Sequence, residues 1–394
     1  MKEITIITQY FYPNLTSTAQ LMTDLAKGLS QRGYSVKIFT GSQANGTCHE
    51  SLSQVNINRA FCPVKSSTSI FNKISSSAFF ILGAFIYVIF RLPRNTPLLI
   101  ASNPPYAGIL GICFKLFRGG EYYFLQQDIF PESAVMSGII HSPSILFSFF
   151  NYLIKLTFKY AEKIIVLTTS MQSFLGQKYP NIQQKIKVIE NWAIEDIPLY
   201  DKKDNEFAKQ YNLNDVFTVL YSGNIGRLHD IETIAESAKI LKGTPIKFVF
   251  IGDGAKIKVL KQAIQTYQLN NILLLPFQPR EILPLSLTAC DVSLVSMIPG
   301  AEYIVAPSKL YGMLAAGRAI ISISSANSYI EQILTTYDCG VNSPPNNPQS
   351  LADIIRKFAS EPLKVKTIGE NARQLYENKY RFERALDEYE KLLF

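Results

Sequence analysis

The sequence predicts an α/β protein made of two Rossmann-like domains, each a doubly wound parallel sheet. Short apolar segments rich in β-branched residues alternate with helical segments along the chain. These segments form two series, separated by a polar stretch at 191–213. At 394 residues, the chain is also too long for a single compact core. Apolar strands that alternate with helices indicate parallel sheets covered on both faces.

The strands follow one another in a regular order. We expect the first series at 3–8, 35–40, 97–102, 122–127 and 163–168, and the second at 217–222, 246–252, 271–276, 291–296 and 319–324. This order predicts a first domain at 1–198, a second at 199–375 and a charged helix at 376–394 that packs back across the first domain. The domains are expected to face each other across a cleft, where such sheets bind ligands at the carboxyl ends of their strands.

The net charge of +8 lies entirely in the first half of the chain. Residues 1–195 hold 17 Lys and Arg against nine Asp and Glu, whereas the remainder is balanced. Nucleic acid is not expected as a partner, because there is no basic run, zinc pattern or recognition-helix signature. The remaining explanation is an anionic membrane surface.

Two apolar segments support the membrane explanation. Residues 78–90 are too few to span a bilayer and are followed by Arg91 and Arg94, and residues 144–163 place Lys155 and Lys159 beside a wide apolar face. Both could lie in a bilayer interface, or both could be core helices of the first domain. The chain starts directly as a strand, so we expect no secretory signal and a cytoplasmic protein, peripheral at the inner face of the membrane.

Metal chemistry is not expected. The five cysteines, Cys48, Cys62, Cys113, Cys290 and Cys339, are scattered, and there are only three histidines. The pattern indicates a reducing compartment and no zinc site. The sequence also lacks Ser-His-Asp, Cys-His and paired-carboxylate spacings.

A glycine-containing turn follows the first strand of the second domain. Gly223 and Gly226 allow close approach of the backbone, Arg227 comes next, and a helix begins near Asp230 or Ile231. Exposed amides, a helix start and an arginine can hold a diphosphate. The arginine could equally be structural. The segment 252–254 also ends a strand and is expected to be only a turn.

A lysine at the start of a second helix raises the question of an anion. The segment Pro307-Ser308-Lys309 resembles a capping turn, followed by a buried helix that stops at Gly317. A cation in the first turn of a helix is unfavourable unless an anion lies beside it. Lys309 is therefore either a second cation for the diphosphate or an ordinary surface lysine.

Two features of the first domain border the carboxyl end of its sheet. Ser17 or Thr18 is expected to cap a helix, with a possible second role in contacting an acceptor. Asp128 directly follows a strand and precedes a proline-containing turn. It is either a functional acid or a turn residue.

Taken together, these segments resemble the family 4 retaining glycosyltransferases of GT-B fold. The resemblance is greatest to the bacterial polysaccharide, O-antigen and colanic-acid-type branch that transfers fucose-type or N-acetylated amino sugars. It covers nearly the whole chain and rests on the order and spacing of segments at 11–36, 102–105, 126–134, 188–193, 221–238, 250–254, 307–321 and 368–377.

The resemblance implies roles for particular residues. A sugar nucleotide would bind mainly to the second domain and an acceptor to the first, without cofactor or metal. Arg227 and Lys309 would lie on the diphosphate, and Asp128 would face the transferred sugar. Backbone amides at 302–306 would hold sugar hydroxyls. The implied donor-binding set is Gly223, Asn224, Gly226, Glu302, Pro307, Ser308 and Tyr311, and the implied acceptor-binding set is Ser17 and Thr18.

The sequence also departs from the family pattern. The two glutamates that the family places eight positions apart would fall at Ile304 and Gly312, and Glu302 is out of register by two. The lysine that usually follows the arginine is replaced by Glu232 and Thr233. The resemblance nevertheless implies metal-independent, retaining transfer of a sugar from a nucleotide diphosphate sugar to a glycan acceptor carried on a lipid such as a polyprenyl chain. Two alternatives stay open: a non-catalytic subunit that binds sugar nucleotides, and a sugar-nucleotide 2-epimerase.

Overall fold

The computed structural model describes residues 2–14, 16–42, 49–61, 70–193 and 197–394. Within them the chain forms two compact units, residues 1–194 with 382–394 (unit 1) and residues 195–381 (unit 2). The domain boundaries expected from the sequence, 198 and 375, lie near these divisions. Cys48, Cys62 and residues 194–196 of the polar stretch lie outside the described residues. The described cysteines, Cys113, Cys290 and Cys339, are free thiols.

Unit 1 contains a mostly parallel sheet. Its described strands are β1 (Glu3–Thr8), β2 (Ser35–Thr40), β3 (His49–Leu52), β4 (Val55–Arg59), β5 (Leu98–Ala101), β6 (Tyr122–Gln126), β7 (Lys163–Val166) and β8 (Ile186–Val188). They lie in the order β3-β4-β2-β1-β5-β6-β7-β8, and β3 runs antiparallel to β4. The five strands predicted for this part of the chain are confirmed, whereas β3, β4 and β8 were not predicted.

Helices cover both faces of this sheet. They are α1 (Ser17–Gln31), α2 (Ile70–Phe90), α3 (Gly108–Cys113), α4 (Glu132–Met136), α5 (Ile145–Tyr160) and α6 (Thr169–Lys178), and α3 continues into a π-helical turn (Phe114–Arg118). Crossovers between parallel strands are right-handed, so α1 lies on one face while α2, α3 and α5 share the other. None of the described helices is both long and apolar enough to cross a membrane.

Unit 2 contains a second parallel sheet. Its described strands are β9 (Phe217–Ser222), β10 (Ile246–Ile251), β11 (Ile272–Leu275), β12 (Val292–Ser296), β13 (Ala319–Ile323) and β14 (Gly340–Ser343), in the order β11-β10-β9-β12-β13-β14. The five predicted strands are confirmed, and β14 was not predicted. The helices are α7 (Glu206–Gln210), α8 (Ile231–Ile240), α9 (Ile257–Tyr267), α10 (Leu283–Thr288), α11 (Lys309–Ala315), α12 (Tyr329–Thr336), α13 (Pro348–Ser360) and α14 (Pro362–Leu375).

The strand order places ligand-binding crevices at defined points. In unit 1 the chain reverses its direction of winding beside β1, which pairs with both β2 and β5. In unit 2 it reverses beside β9, which pairs with β10 and β12. Loops diverge at such points and leave a crevice at the carboxyl ends of the strands. In unit 2 these are the loops that follow β9 and β12.

The C-terminal helix α15 (Phe382–Leu393) belongs to unit 1. It packs on α1, where a Cβ atom added at Gly28 would lie 2.6 Å from the Phe382 ring. An ion pair at 2.5 Å joins Arg32 to Asp387. The glycine therefore permits the close approach of the two helices. The segment Tyr376–Tyr380, predicted as part of this helix, forms a π-helical turn before it.

Candidate active site

The loop after β9 is held against the turn after β10 by glycines. Gly223 has a φ of +119°, and its amide donates to the Ile251 carbonyl at 2.8 Å. A Cβ at Gly252 would lie 2.1 Å from the Gly223 oxygen, and one at Gly254 would lie 2.4 Å from the Ile225 oxygen. Side chains cannot be added here without moving backbone. The turn at 252–254 therefore fixes the shape of the β9 loop.

Lys309 lies against this loop. It is the first residue of α11, and the helix is followed by Gly317 at a φ of +62°, as the sequence predicted. The Lys309 ammonium donates to the Tyr221 hydroxyl and, at 2.7 Å, to the Asn224 carbonyl. A Cβ at Gly223 would lie 2.9 Å from the lysine Cε, so glycine is needed for the lysine to pass.

The Lys309 ammonium has neutral partners only. No carboxylate pairs with it among the residues that the structure describes. The residue keeps some exposed surface, but burial by surrounding protein lowers its pKa well below the usual 10.5. A cation that is partly desolvated without a counter-ion is costly, and a bound anion would reverse the cost. The site therefore has the electrostatics of an anion-binding site.

Tyr221 connects Lys309 to His229. The tyrosine hydroxyl lies 2.8 Å from His229 Nδ1, and the Gly226 amide donates to the same nitrogen at 3.1 Å. Because Nδ1 accepts, the neutral imidazole carries its proton on Nε2. Burial, followed by the nearby Lys309 charge, lowers the pKa of His229 to about 3. His229 is therefore neutral near pH 7 and acts as a fixed acceptor that holds the loop.

Arg227 lies on the same loop, and its side chain is exposed. Helix α8 begins four residues later, as predicted, with Asp230 as its N-cap. The Asp230 carboxylate accepts from the Thr233 amide at 3.0 Å, from the Thr233 hydroxyl at 2.7 Å and from the Asn346 amide at 3.0 Å. An acidic cap already compensates the positive end of this helix. The acidic cap therefore offsets part of the positive potential that the α8 N-terminus would offer a phosphate, and the expected role of this helix start stays a prediction. The amides of Gly223, Ile225 and Gly226 already donate within the protein, so Lys309 is the main positive group at the loop.

Glu302 lies in a 3₁₀ turn (Ala301–Tyr303) within the loop after β12. The residue is 2% exposed, and neither carboxylate oxygen has a hydrogen-bond partner in the described chain. The amides of Tyr303, Ile304 and Val305 donate to carbonyls of this turn. Three of the amides expected to hold sugar hydroxyls are thus already engaged, because the chain forms a closed turn here.

Two further positions from the family pattern lie in this region. Ile304 is buried at 2% exposure, so a charged side chain would not be tolerated there without rearrangement. Gly312 lies within α11, where an added Cβ would make only an ordinary contact of 3.5 Å with Leu287. Space for a side chain therefore exists at Gly312, and the absence of the glutamate is not forced by packing.

The other predicted residues of this segment are only partly supported by their positions. Ser308 precedes α11 but makes no side-chain cap bond, so the expected capping turn is wrong in this detail. Pro307 precedes it and accepts from the Leu310 amide at 2.9 Å. Tyr311 is fully buried, with its ring 5.2 Å from that of Tyr380. Its side chain faces the interior of unit 2, so the assignment of Tyr311 to the donor site is corrected here.

In unit 1, Asp128 follows β6 with its side chain exposed. Although the residue is exposed, the protein packed around its carboxyl group disfavours the charged form and raises the pKa to about 6. Because the side chain is also in contact with solvent, this pKa shift does not translate into a contribution to the free energy of unfolding. The Gln126 amide group donates to the Asp128 carbonyl at 2.5 Å. Asp128 is thus a carboxylate at a strand end, ionised for the most part at neutral pH.

The start of α1 lies beside this strand end. Ser17 is the first residue of α1, and the N-cap is Thr16, so the prediction that Ser17 or Thr18 caps the helix is wrong by one or two positions. The Thr18 hydroxyl donates to Gln127 at 3.1 Å. Thr18 and Asp128 are therefore brought to one edge of the unit 1 sheet.

Two members of the unit 2 site were not predicted from the sequence. Tyr221 lies within the predicted strand β9, next to its last residue, and His229 belongs to no motif. A tyrosine two residues before a glycine turn, with a histidine eight residues later, is the signal that could have found them. Among the described residues, no group of three or more His, Cys, Asp and Glu side chains is placed to hold a metal ion.

Two Rossmann-like units, each with a crevice at its switch point, give the chain the architecture of GT-B glycosyltransferases. Residues 202–375, which lie in unit 2, match the sequence model of the family described as "Glycosyl transferases group 1". Unit 2 therefore carries a domain of this family.

Relatives and solved structures agree with this assignment. The chain is 29% identical over 297 residues to the probable glycosyltransferase WbjE of Pseudomonas aeruginosa, which covers 74% of this chain and 72% of the relative. It is 32% identical over 140 residues to the putative colanic acid biosynthesis glycosyl transferase WcaI of Escherichia coli K12, covering 35% of this chain and 34% of the relative.

The fold is shared with solved structures at low sequence identity. Sucrose-phosphate synthase from Thermosynechococcus elongatus superimposes with a TM-score of 0.80 at 16% identity, covering 100% of this chain and 98% of that one. Anabaena HepE, solved in complex with UDP-glucose, gives a TM-score of 0.72 at 15% identity, covering 100% and 99%.

Proposed function

We propose that the protein transfers a sugar from a nucleotide diphosphate sugar to a glycan acceptor, with retention at the anomeric carbon and without a metal. The observation that carries the proposal is the Lys309 ammonium, which is partly desolvated, has no carboxylate partner in the described chain and lies on a glycine loop. A diphosphate is the anion that suits this arrangement, because a lysine beside a glycine loop that the exposed Arg227 shares offers two cations to its oxygens.

The chemistry needs little from the protein beyond electrostatic stabilisation. The bond between the anomeric carbon and the β-phosphate oxygen breaks, and its electron pair leaves with the nucleotide diphosphate. The acceptor hydroxyl bonds to the anomeric carbon on the same face and gives its proton to the departing phosphate oxygen. Lys309 and Arg227 stabilise the charge that develops on the diphosphate. Glu302 is proposed to belong to the donor site and Asp128 to face the transferred sugar. Ser17 and Thr18 are proposed to contact the acceptor.

The relatives support the donor class and a role in polysaccharide synthesis. HepE was solved with UDP-glucose, WbjE is named a probable glycosyltransferase, and WcaI is named for colanic acid biosynthesis. We therefore place the protein in cell-surface polysaccharide synthesis, with a lipid-linked glycan acceptor. Such an acceptor would require the protein to work at the inner face of the cytoplasmic membrane.

A non-catalytic sugar-nucleotide-binding subunit is the second candidate. The non-acidic residues at 304 and 312 and the buried turn around Glu302 favour it. The epimerase alternative has less support, because burial lowers the pKa of His229 to about 3 and its Nδ1 is engaged, which makes it a poor general base near pH 7.

Two experiments test the proposal in order. A thermal-shift screen against UDP-, GDP-, ADP- and dTDP-sugars identifies the donor, because a ligand of the folded state raises its stability. The purified protein is then incubated with the radiolabelled donor and a membrane extract. Transfer or hydrolysis of the label supports the enzyme. Binding without either reaction supports the non-catalytic subunit, and absence of binding to every nucleotide sugar contradicts both.

A further inference from the structure

Unit 1 exposes apolar side chains along three neighbouring helices. On α2 the exposed residues Leu82, Ile86 and Phe90 are spaced four apart, and Phe90 is 73% exposed. The solvent-facing side of a surface helix is normally polar, so an apolar outer stripe calls for a partner. The opposite side of α2, including Phe80, Ala84 and Val88, is buried in unit 1. This helix therefore lies flat on the domain.

The two helices beside it continue the pattern. Helix α3 packs against both α2 and α5, as expected for helices on the same side of the sheet. We call the exposed apolar side chains of these helices the three-helix face. It comprises Leu82, Ile86 and Phe90 of α2, Ile109, Leu116 and Phe117 of α3 and its π-helical turn, and Ile145, Leu146, Phe149 and Tyr152 of α5.

The three helices themselves carry charged residues of one sign. No Asp or Glu occurs at 51–120 or at 133–161. The same ranges carry exposed basic residues on or beside the three helices, namely Arg91, Arg94, Arg118, Lys155 and Lys159. An apolar surface on helices that carry basic residues and no acid complements an anionic bilayer, into which apolar side chains dip while Lys and Arg meet phosphate groups.

A second copy of the chain fits this surface poorly. A two-fold interface would place the same three helices, with basic residues and no acid, on both sides, and like charges would then face each other. The bilayer satisfies both the apolar and the charged part of the face at once.

We infer that the three-helix face is the membrane-docking surface of the protein and that it rests on the anionic lipid leaflet with α2, α3 and α5 parallel to the bilayer plane. The π-helical turn is the part that the sequence did not predict. Leu116 and Phe117, 58% and 70% exposed, precede the basic Arg118 and lie beside α2.

The docking surface adjoins the predicted acceptor edge of unit 1. The Phe150 ring of α5 lies 4.9 Å from the ring of Phe130, two residues after Asp128, and 5.5 Å from the ring of Phe149 on the three-helix face. A lipid-linked acceptor could therefore keep its chain in the bilayer while its sugar reaches Asp128. This step rests on the proposed function, whereas docking itself does not.

Vesicle flotation with the full chain tests the inference in the absence of donor and acceptor. We expect binding to vesicles of equal parts phosphatidylcholine and phosphatidylglycerol, and little binding to phosphatidylcholine alone. The double variant Leu116→Ser/Phe117→Ser should bind at least about tenfold more weakly, because two apolar side chains no longer enter the interface. Lys155→Gln/Lys159→Gln should bind about thirtyfold more weakly at low salt.

Matched controls carry the same changes on unit 2. Val259→Ser/Leu363→Ser and Lys357→Gln/Lys366→Gln alter exposed residues of the same types and should bind as the wild type does. Equal losses in variants and controls would overturn the inference, as would absence of wild-type binding to anionic vesicles at low salt. Unchanged vesicle binding with a change from dimer to monomer in sedimentation would assign the face to a second copy instead. Nucleotide binding in lipid-free buffer reports on the proposed function separately.

Discussion

Replacing Lys309 with methionine removes the ammonium and keeps most of the apolar stem that passes beside Gly223. We expect opposite effects on stability and on binding. The lowered pKa of Lys309 means that the unfolded chain takes up this proton more readily than the folded one, so the wild type loses stability as pH falls below 10.5. The ligand-free Lys309→Met protein should therefore be at least as stable as the wild type at neutral pH.

Binding of a nucleotide diphosphate should weaken in the same variant. Loss of one charge-assisted contact costs about 1.5–3 kcal/mol, or roughly ten- to hundredfold in affinity. At a ligand concentration of about 100 times the wild-type Kd, the wild type gains about 2.7 kcal/mol in unfolding free energy, and the variant should gain about 0.4–1.4 kcal/mol. A structural lysine would show the reverse, with lower stability and unchanged affinity.

Calorimetric titration and thermal unfolding with and without ligand are the assays. Lys256→Met is the matched control, because this lysine donates to the His229 carbonyl at 2.8 Å in the same region but is paired with Glu232 at 2.7 Å. The control should keep nucleotide affinity near the wild-type value. Wild-type affinity in Lys309→Met would refute the reasoning, as would an equal loss of affinity in both variants.

Three further predictions concern the same unit. Arg227→Ala should weaken nucleotide diphosphate binding by about 1.5–3 kcal/mol in calorimetry. The double variant with Lys309→Ala should lose less binding free energy than the sum of the two single variants, because one phosphate can shift to the remaining cation. Full additivity would mean that the two side chains do not share the ligand. The pKa of His229, about 3 in the folded state against an ordinary 6.5, lies below that of the unfolded chain. The unfolding free energy should therefore fall as the pH is lowered from 6.5 to 3, by up to about 1.4 kcal/mol per pH unit. When the unfolding free energy is measured in urea at several pH values, it should depend less on pH in His229→Gln than in the wild type. Gly312→Ala should raise the unfolding free energy measured in urea by about 0.5–1 kcal/mol, because alanine is favoured over glycine inside a helix and the added Cβ makes only an ordinary contact. A loss of stability would show that the protein packs more tightly around Gly312 than the structure indicates.

The sequence predicted the central strands of both sheets and missed the outer ones. Central parallel strands are buried on both faces and read as continuous apolar runs, as in Phe217–Ser222. The missed strands β3, β4, β8 and β14 lie at or next to sheet edges. A strand there is less completely enclosed and does not need a continuous run of apolar residues. Gly340–Ser343, with the sequence GVNS, resembles a loop, and only pairing with β13 makes it a strand.

Part of the site could be predicted because helix starts follow strand ends in this fold. Lys309 stood out as a cation at an unfavourable position, and its location against the β9 loop agrees with that expectation. That no carboxylate of the described chain pairs with Lys309 depends on tertiary contacts, which no local pattern contains. The same limitation explains the error at Tyr311, since only the packing of Tyr380 against α11 shows that the ring faces inward.

The most direct test of the central claim is a crystal structure of the protein with the nucleotide diphosphate of its donor bound. The account predicts that the Lys309 ammonium lies roughly 3 Å from a phosphate oxygen, within hydrogen-bonding distance, and that the diphosphate lies on the loop that contains Gly223 and Asn224. A structure in which the nucleotide binds elsewhere, while Lys309 keeps only its contacts with Tyr221 and Asn224, would contradict it.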